Sequence, residues 1–123
     1  MSKNIGNTIY DRSINYYETD QMGIVHHSNY IRYFEEARLD MMEQVGLSYA
    51  AMEEHGLIIP VLSVACEYIK PVLFGEKVQI HTRLVKFDGI KMQFVYEIYC
   101  EGELRTKGES RHCFLDKEMK PVR

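Results

Sequence analysis

Residues 28–46 read SNYIRYFEEARLDMMEQVG. Apolar side chains recur here at helical spacing, at Tyr30, Phe34, Ala37, Met41 and Val45, while Arg32, Glu35, Glu36, Asp40 and Glu43 fall mostly elsewhere on the wheel. Ser28 or Asn29 offers a side-chain oxygen to cap the first turn, and Gly46 is placed to end the helix in a left-handed cap. A second helical piece runs from Ser48 to His55 and closes at Gly56. Beyond Gly56 the apolar period drops to two, the signature of strands.

Working outward, Thr8 to Tyr17 reads as a first strand, with Tyr10, Ile14 and Tyr16 on one parity and Arg12 interrupting it. Glu18 to His27 has loop chemistry. Leu57 to Ile69 reads as a long strand in which Pro60 demands an irregular or edge position. A turn from Lys70 to Gly75 leads to a strand from Lys77 to Phe87. Asp88-Gly89 signals a hairpin into Lys91 to Cys100. Glu101-Gly102 turns the chain into a last strand, Leu104 to Leu115, with Gly108 in its middle. The expected class is α+β: an antiparallel sheet of about five strands around one long helix. The sheet face away from the helix still carries Val85, Phe87, Val95, Tyr99 and Leu115. That is too apolar for a solvated face, so a second copy of the chain is expected to cover part of the surface.

The chain has 123 residues, 46% hydrophobic and 27% charged, which suits one globular domain spanning residues 1–123. Fifteen basic residues against 18 acidic give a net charge of −3, without the basic surplus of a nucleic-acid binder. No apolar run is long enough for a membrane span. Met1 to Asn7 offers no export-type apolar stretch. Cys66, Cys100 and Cys113 are an odd number without metal-type spacing, which points to a reducing, cytoplasmic setting.

The chemistry concentrates in residues 17–30, YETDQMGIVHHSNY. A carboxylate, Asp20, sits on a tight loop just ahead of a helix start. Backbone N–H groups at such a start can hold an anion or a developing oxyanion. Gly23 permits close approach of a ligand to the backbone. A carboxylate can serve as a nucleophile or as a general base toward water. In isolation an aspartate in a turn more often just hydrogen-bonds its own backbone. His26 and His27 are adjacent, a poor arrangement for ligating one metal ion, and no metal site is expected. No Cys–His pair or Gly-x-Ser-x-Gly elbow supplies another nucleophile.

The spacing Thr19-Asp20-x-x-Gly23-Ile24-Val25-x-His27-x-x-Tyr30 resembles the signature of the 4-hydroxybenzoyl-CoA thioesterase family, and most closely its bacterial branch acting on short- and medium-chain acyl-CoA. The resemblance implies the hotdog fold, in which the sheet wraps the helix. It implies hydrolysis of an acyl-CoA thioester to a free acid and coenzyme A. Asp20 would be the catalytic carboxylate, and the backbone N–H of His27 the oxyanion donor. Gly23, Val25, His27 and Tyr30 would contact substrate. No cofactor would be needed beyond the coenzyme A of the substrate. The active site would form between subunits of a homodimer or homotetramer. Other hotdog thioesterases use a helix glutamate, which keeps Glu35 or Glu36 as an alternative base. A hydratase motif is absent: its Asn and His positions hold Val25 and Ser28. A non-catalytic acyl-thioester-binding module is the main alternative, and it would have no need of Asp20. The phosphates of coenzyme A need cations, for which Lys70, Lys86, Lys91, Arg105, Lys107 and Arg111 are available.

Overall fold

In the computed structural model, which describes residues 6–44, 49–88 and 90–121, the helix and the strands appear in the expected order. Strand β1 spans Gly6–Ser13, helix α1 Ser28–Gln44 and helix α2 Tyr49–Glu54. Strands β2 to β5 span Val61–Tyr68, Lys77–Phe87, Lys91–Cys100 and Glu103–Cys113. All pairings are antiparallel and the sheet order is β1-β3-β4-β5-β2. Val45, Gly46, Ser48 and Gly89 lie outside the described residues.

The helix buries the stripe its spacing predicts. Tyr30, Phe34, Ala37 and Met41 are buried, joined by Tyr33. They pack against the inward faces of β3 (Val78, Ile80) and β4 (Phe94, Tyr96, Ile98). On β4 the burial alternates residue by residue, so hydrophobic burial alone fixes its register. The β3–β4 hairpin is tied by Asp88, whose Oδ1 accepts from the Ile90 and Lys91 amides at 2.9 and 2.7 Å.

Three boundaries differ from the sequence expectation. The first strand ends at Ser13, because its partner β3 begins at Lys77 opposite that residue; Ile14 still bonds to the Glu76 carbonyl and the Gly75 amide, and the chain then leaves the sheet. A 3-10 turn, Tyr16–Glu18, follows instead. The strand expected from Leu57 starts only at Val61. Pro60 brings no N–H to a ladder, and residues 57–60 contribute a single bridge, Ile58 to Leu115. The last strand likewise closes at Cys113, leaving Leu115 in that bridge. Neither Ser28 nor Asn29 caps α1 from outside; both are its first residues. The Asn29 side chain is drawn away to donate to the Glu18 carbonyl at 2.9 Å.

Val85, Val95, Tyr99 and Leu115 are half-buried and Phe87 is exposed. The longer exposed apolar run lies on the edge strand β2 and just beyond it, at Val61, Leu62, Val64, Tyr68 and Ile69.

Candidate active site

The loop between β1 and α1 is a small hairpin in its own right. Thr19 bridges Val25, and the Asp20 amide donates to the Ile24 carbonyl at 2.8 Å. At its tip the Gly23 amide returns to the Asp20 carbonyl at 3.0 Å. Gly23 has φ +78°, a left-handed conformation that a side chain would strain. This geometry aims the Asp20 carboxylate back over its own turn. The amides of Met22 and Ile24 donate to Oδ1 at 2.8 and 3.3 Å. Among the described residues Oδ2 has no partner, so one oxygen is held and the other is open to a substrate.

A second segment fastens the hairpin to the sheet. Val25 donates to the Val72 carbonyl at 2.7 Å, and Phe74 donates to the Gly23 carbonyl at 2.9 Å. The turn after β2 thereby becomes the far wall of a cleft of about 370 Å³. Asp20, Val25, His27 and Tyr30 line it together. Gly23 does not line it; its place is at the hairpin tip. Tyr68, Ile69, Lys70 and Pro71 complete the wall. They lie 38 or more positions away along the chain, and only the non-local pairing could have revealed them.

Asp20 and His27 are exposed, while Val25 and Tyr30 are buried. Burial raises the Tyr30 phenol above its ordinary pKa, so it stays protonated. Its ring meets Tyr68 edge-on, with centroids 5.0 Å apart. At the helix start, His26 Nδ1 accepts from the Ser28 amide at 3.2 Å and contacts Ser28 Oγ at 2.9 Å. His26 is therefore engaged in capping. The His27 carbonyl accepts from the Tyr30 amide at 3.3 Å. Among the described residues the His27 N–H itself meets no acceptor. The arrangement sets a carboxylate oxygen and a backbone donor in one cleft, the pair that acyl transfer requires.

Beneath the loop lies a charged network that the sequence reading did not find. Glu18, 2% exposed, accepts at Oε1 from Arg12 Nη1 (2.6 Å), the Asn15 amide (3.0 Å) and the Tyr33 hydroxyl (3.1 Å). Arg12 also grips Glu36 through Nε and Nη2, at 2.6 and 3.1 Å. Burial alone would raise the Glu18 carboxyl, but Arg12, the Asn15 amide and Tyr33 outweigh it and hold the group below the usual carboxylate range. Glu36 is committed to Arg12 and Tyr10, and Glu35 lines a different, smaller cavity. Neither helix glutamate lines the Asp20 cleft.

The possible phosphate ligands also sort themselves. Arg105 is buried and bonded to Glu76, Glu103 and the Pro71 carbonyl. Lys70 pairs with Glu103 at 2.5 Å. Lys86, Lys91 and Arg111 line one cleft of about 540 Å³ near the β3–β4 hairpin. None of the three forms an ion pair among the described residues.

Residues 14–122 match the family model described as the thioesterase-like superfamily. The chain is 40% identical over 111 residues to YneP of Bacillus subtilis, which carries the provisional name acyl-CoA thioesterase. That match covers 89% of this chain and 80% of the relative. It is 28% identical over 109 residues to an Escherichia coli acyl-CoA thioester hydrolase, YbgC, covering 86% and 81%. Its structure superposes on a DHNA-CoA thioesterase from Staphylococcus aureus with a TM-score of 0.91 and 38% identity, covering 95% of this chain and 80% of that one.

Proposed function

The chain belongs to the thioesterase-like superfamily, and from that premise we propose that it is an acyl-CoA thioesterase with Asp20 as its catalytic carboxylate. The observation that carries the reading is the division of labour at Asp20. Oδ1 is fixed by two amides and Oδ2 has no partner among the described residues, and Asp20 lines one cleft with His27, whose N–H meets no acceptor among them.

The thioester carbonyl carbon would approach Oδ2 with its oxygen toward the His27 amide. Asp20 then acts by one of two routes. As a nucleophile it adds to the carbonyl and expels the coenzyme A thiolate, leaving a mixed anhydride that water cleaves. As a base it takes a proton from water, whose oxygen adds to the carbonyl before the thiolate leaves. In each route the proton taken from water passes from Asp20 to the departing thiolate, so that thioester and water give a carboxylic acid and coenzyme A and Asp20 is regenerated. The negative charge that builds on the carbonyl oxygen is stabilised by the helix-start donor; losing such a donor typically costs about 10²–10³ in rate. Val25 and Tyr30 supply an apolar wall for the acyl end, and Gly23 keeps the hairpin tip tight.

We read residues 1–123 as one domain that works as a homo-oligomer, in which a second copy covers the apolar edge of β2. An unpaired apolar edge strand is otherwise a template for aggregation. Among the described residues no helix is long and apolar enough to cross a membrane. The three free cysteines suit a reducing, cytoplasmic compartment.

The test is free-thiol release from a panel of acyl-CoA esters, comparing wild type with Asp20→Asn. The expected result is turnover of at least one ester by wild type and a loss of several orders of magnitude in a folded variant. Binding without hydrolysis by both proteins across the panel would replace the enzyme with a thioester-binding module.

A further inference from the structure

Arg12 breaks the inward parity of β1, and no step above uses it. It brings a half-buried guanidinium against a nearly inaccessible carboxylate, Glu18, two positions before Asp20. Stability is a weak reason for such a pair. Removing two charges from water costs about as much as their attraction returns, and well-packed apolar substitutes are often as stable. The placement of the Glu18 backbone gives a better reason. Its carbonyl accepts from the His26 amide at 3.0 Å and from Asn29 Nδ2 at 2.9 Å.

Glu18 therefore fastens both ends of one loop. Its side chain ties the outgoing end to β1 through Arg12 and to α1 through Tyr33. Its carbonyl ties the returning end, at His26 and Asn29. Between these ties lie Asp20 and the His27 amide. Arg12 is itself anchored twice, by the fork onto Glu36 and by stacking 4.5 Å over the Tyr33 ring. The network thus references the loop to the sheet and to the helix together.

We propose that Glu18, braced by Arg12 and completed by Asn29, is a positioning residue that sets the separation between the Asp20 carboxylate and the His27 amide. The proposal rests on the reading of Asp20 as the catalytic carboxylate. Glu18 touches no substrate; it acts through the loop. A misplacement of about 1 Å in such a pair costs on the order of 10² in rate.

The test measures kcat and KM on the best ester for wild type, Asp20→Asn, Glu18→Gln and Asn29→Ala, with melting temperatures alongside. Glu18→Gln keeps an oxygen for the three donors and removes the charge that Arg12 grips. Asn29→Ala cuts only the tie to the Glu18 carbonyl and leaves the core intact. Both variants are expected to lose about tenfold to a hundredfold in kcat, with KM within about twofold. Should Glu18→Gln fail to fold, Asn29→Ala decides alone. Wild-type kcat in the folded variants, with Asp20→Asn inactive, overturns the brace and leaves the catalytic reading standing. Losses of kcat that only track falling melting temperature also overturn it, since packing alone would explain them. Wild-type kcat in Asp20→Asn overturns both.

Discussion

Gly108→Ala tests the contact that seats the helix on the sheet. A Cβ built on Gly108 would lie 2.3 Å from Phe34 Cε2, 2.5 Å from Cζ and 3.1 Å from the Ala65 carbonyl oxygen. The backbone cannot yield easily, because Gly108 is paired on both sides, with Tyr96 on β4 and Cys66 on β2. The phenyl ring cannot yield easily either. Phe34 is 2% exposed and stacked on Tyr96, with centroids 4.5 Å apart and planes 10° from parallel. Restoring ordinary contact requires the ring, and with it α1, to shift by about 1 Å. Overpacking of this kind costs about 1–3 kcal/mol. Alanine in place of a strand glycine returns about 0.5–1 kcal/mol of chain entropy. The net is a loss of about 1–2 kcal/mol, a fall in melting temperature of roughly 5 °C for a chain of this size. Thermal unfolding followed by circular dichroism reads it directly. Phe34→Leu should lose less in the Gly108→Ala background than in wild type, since it relieves the clash. A variant that melts at or above wild type, or two losses that simply add, would refute the reasoning.

Two further outcomes follow from burial. His112 is fully buried, contacts Ser110 Oγ at 2.7 Å and faces Arg38 Nη1 at 3.3 Å; burial first, then the charge of Arg38, pushes its pKa down to about 4. The unfolded chain takes up that proton near pH 6.5 and the folded one does not. Stability should therefore fall as pH drops from about 6.5 toward 4, by about 2 kcal/mol at pH 4.5. Urea midpoints at pH 7 and 4.5 for wild type and His112→Gln check this, and equal pH sensitivity in the two would sink it. Val64→Lys places a charge on the exposed edge of β2 and should shift the sedimentation profile from oligomer to monomer with loss of thiol release; an unchanged oligomer would move the interface elsewhere.

Strands β3 and β4 were legible because each alternates cleanly, whereas β2 and β5 show no such alternation in burial. Val78, Ile80 and Thr82 are buried on β3, and Met92, Phe94, Tyr96 and Ile98 on β4, as period two requires. What failed were ends, and for non-local reasons. Tyr16 keeps the parity of Tyr10 and Ile14, yet it is exposed, because the neighbouring strand stops short of it. Leu57 to Pro60 have strand composition but reach only one bridge. Gly108, in the middle of β5, leaves the space that Phe34 occupies.

The site divides in the same way. Asp20, Gly23 and His27 belong to one short hairpin and helix start, where spacing alone fixes geometry, so a local motif could specify them. The opposite wall arrives through the hydrogen bonds that Val25 donates to Val72 and Gly23 accepts from Phe74, and no local pattern encodes a partner so far along the chain. Arg12 lies between these cases. Its position was visible as a charge on the inward parity of a strand, but its partners Glu18 and Glu36 stand 6 and 24 residues away. A buried charge must find a counter-charge. An inward arginine one strand before a loop carboxylate therefore implies a buried acid close to that loop. In this chain the acid is Glu18, so the break in the pattern of β1 and the placement of Asp20 are two ends of one constraint.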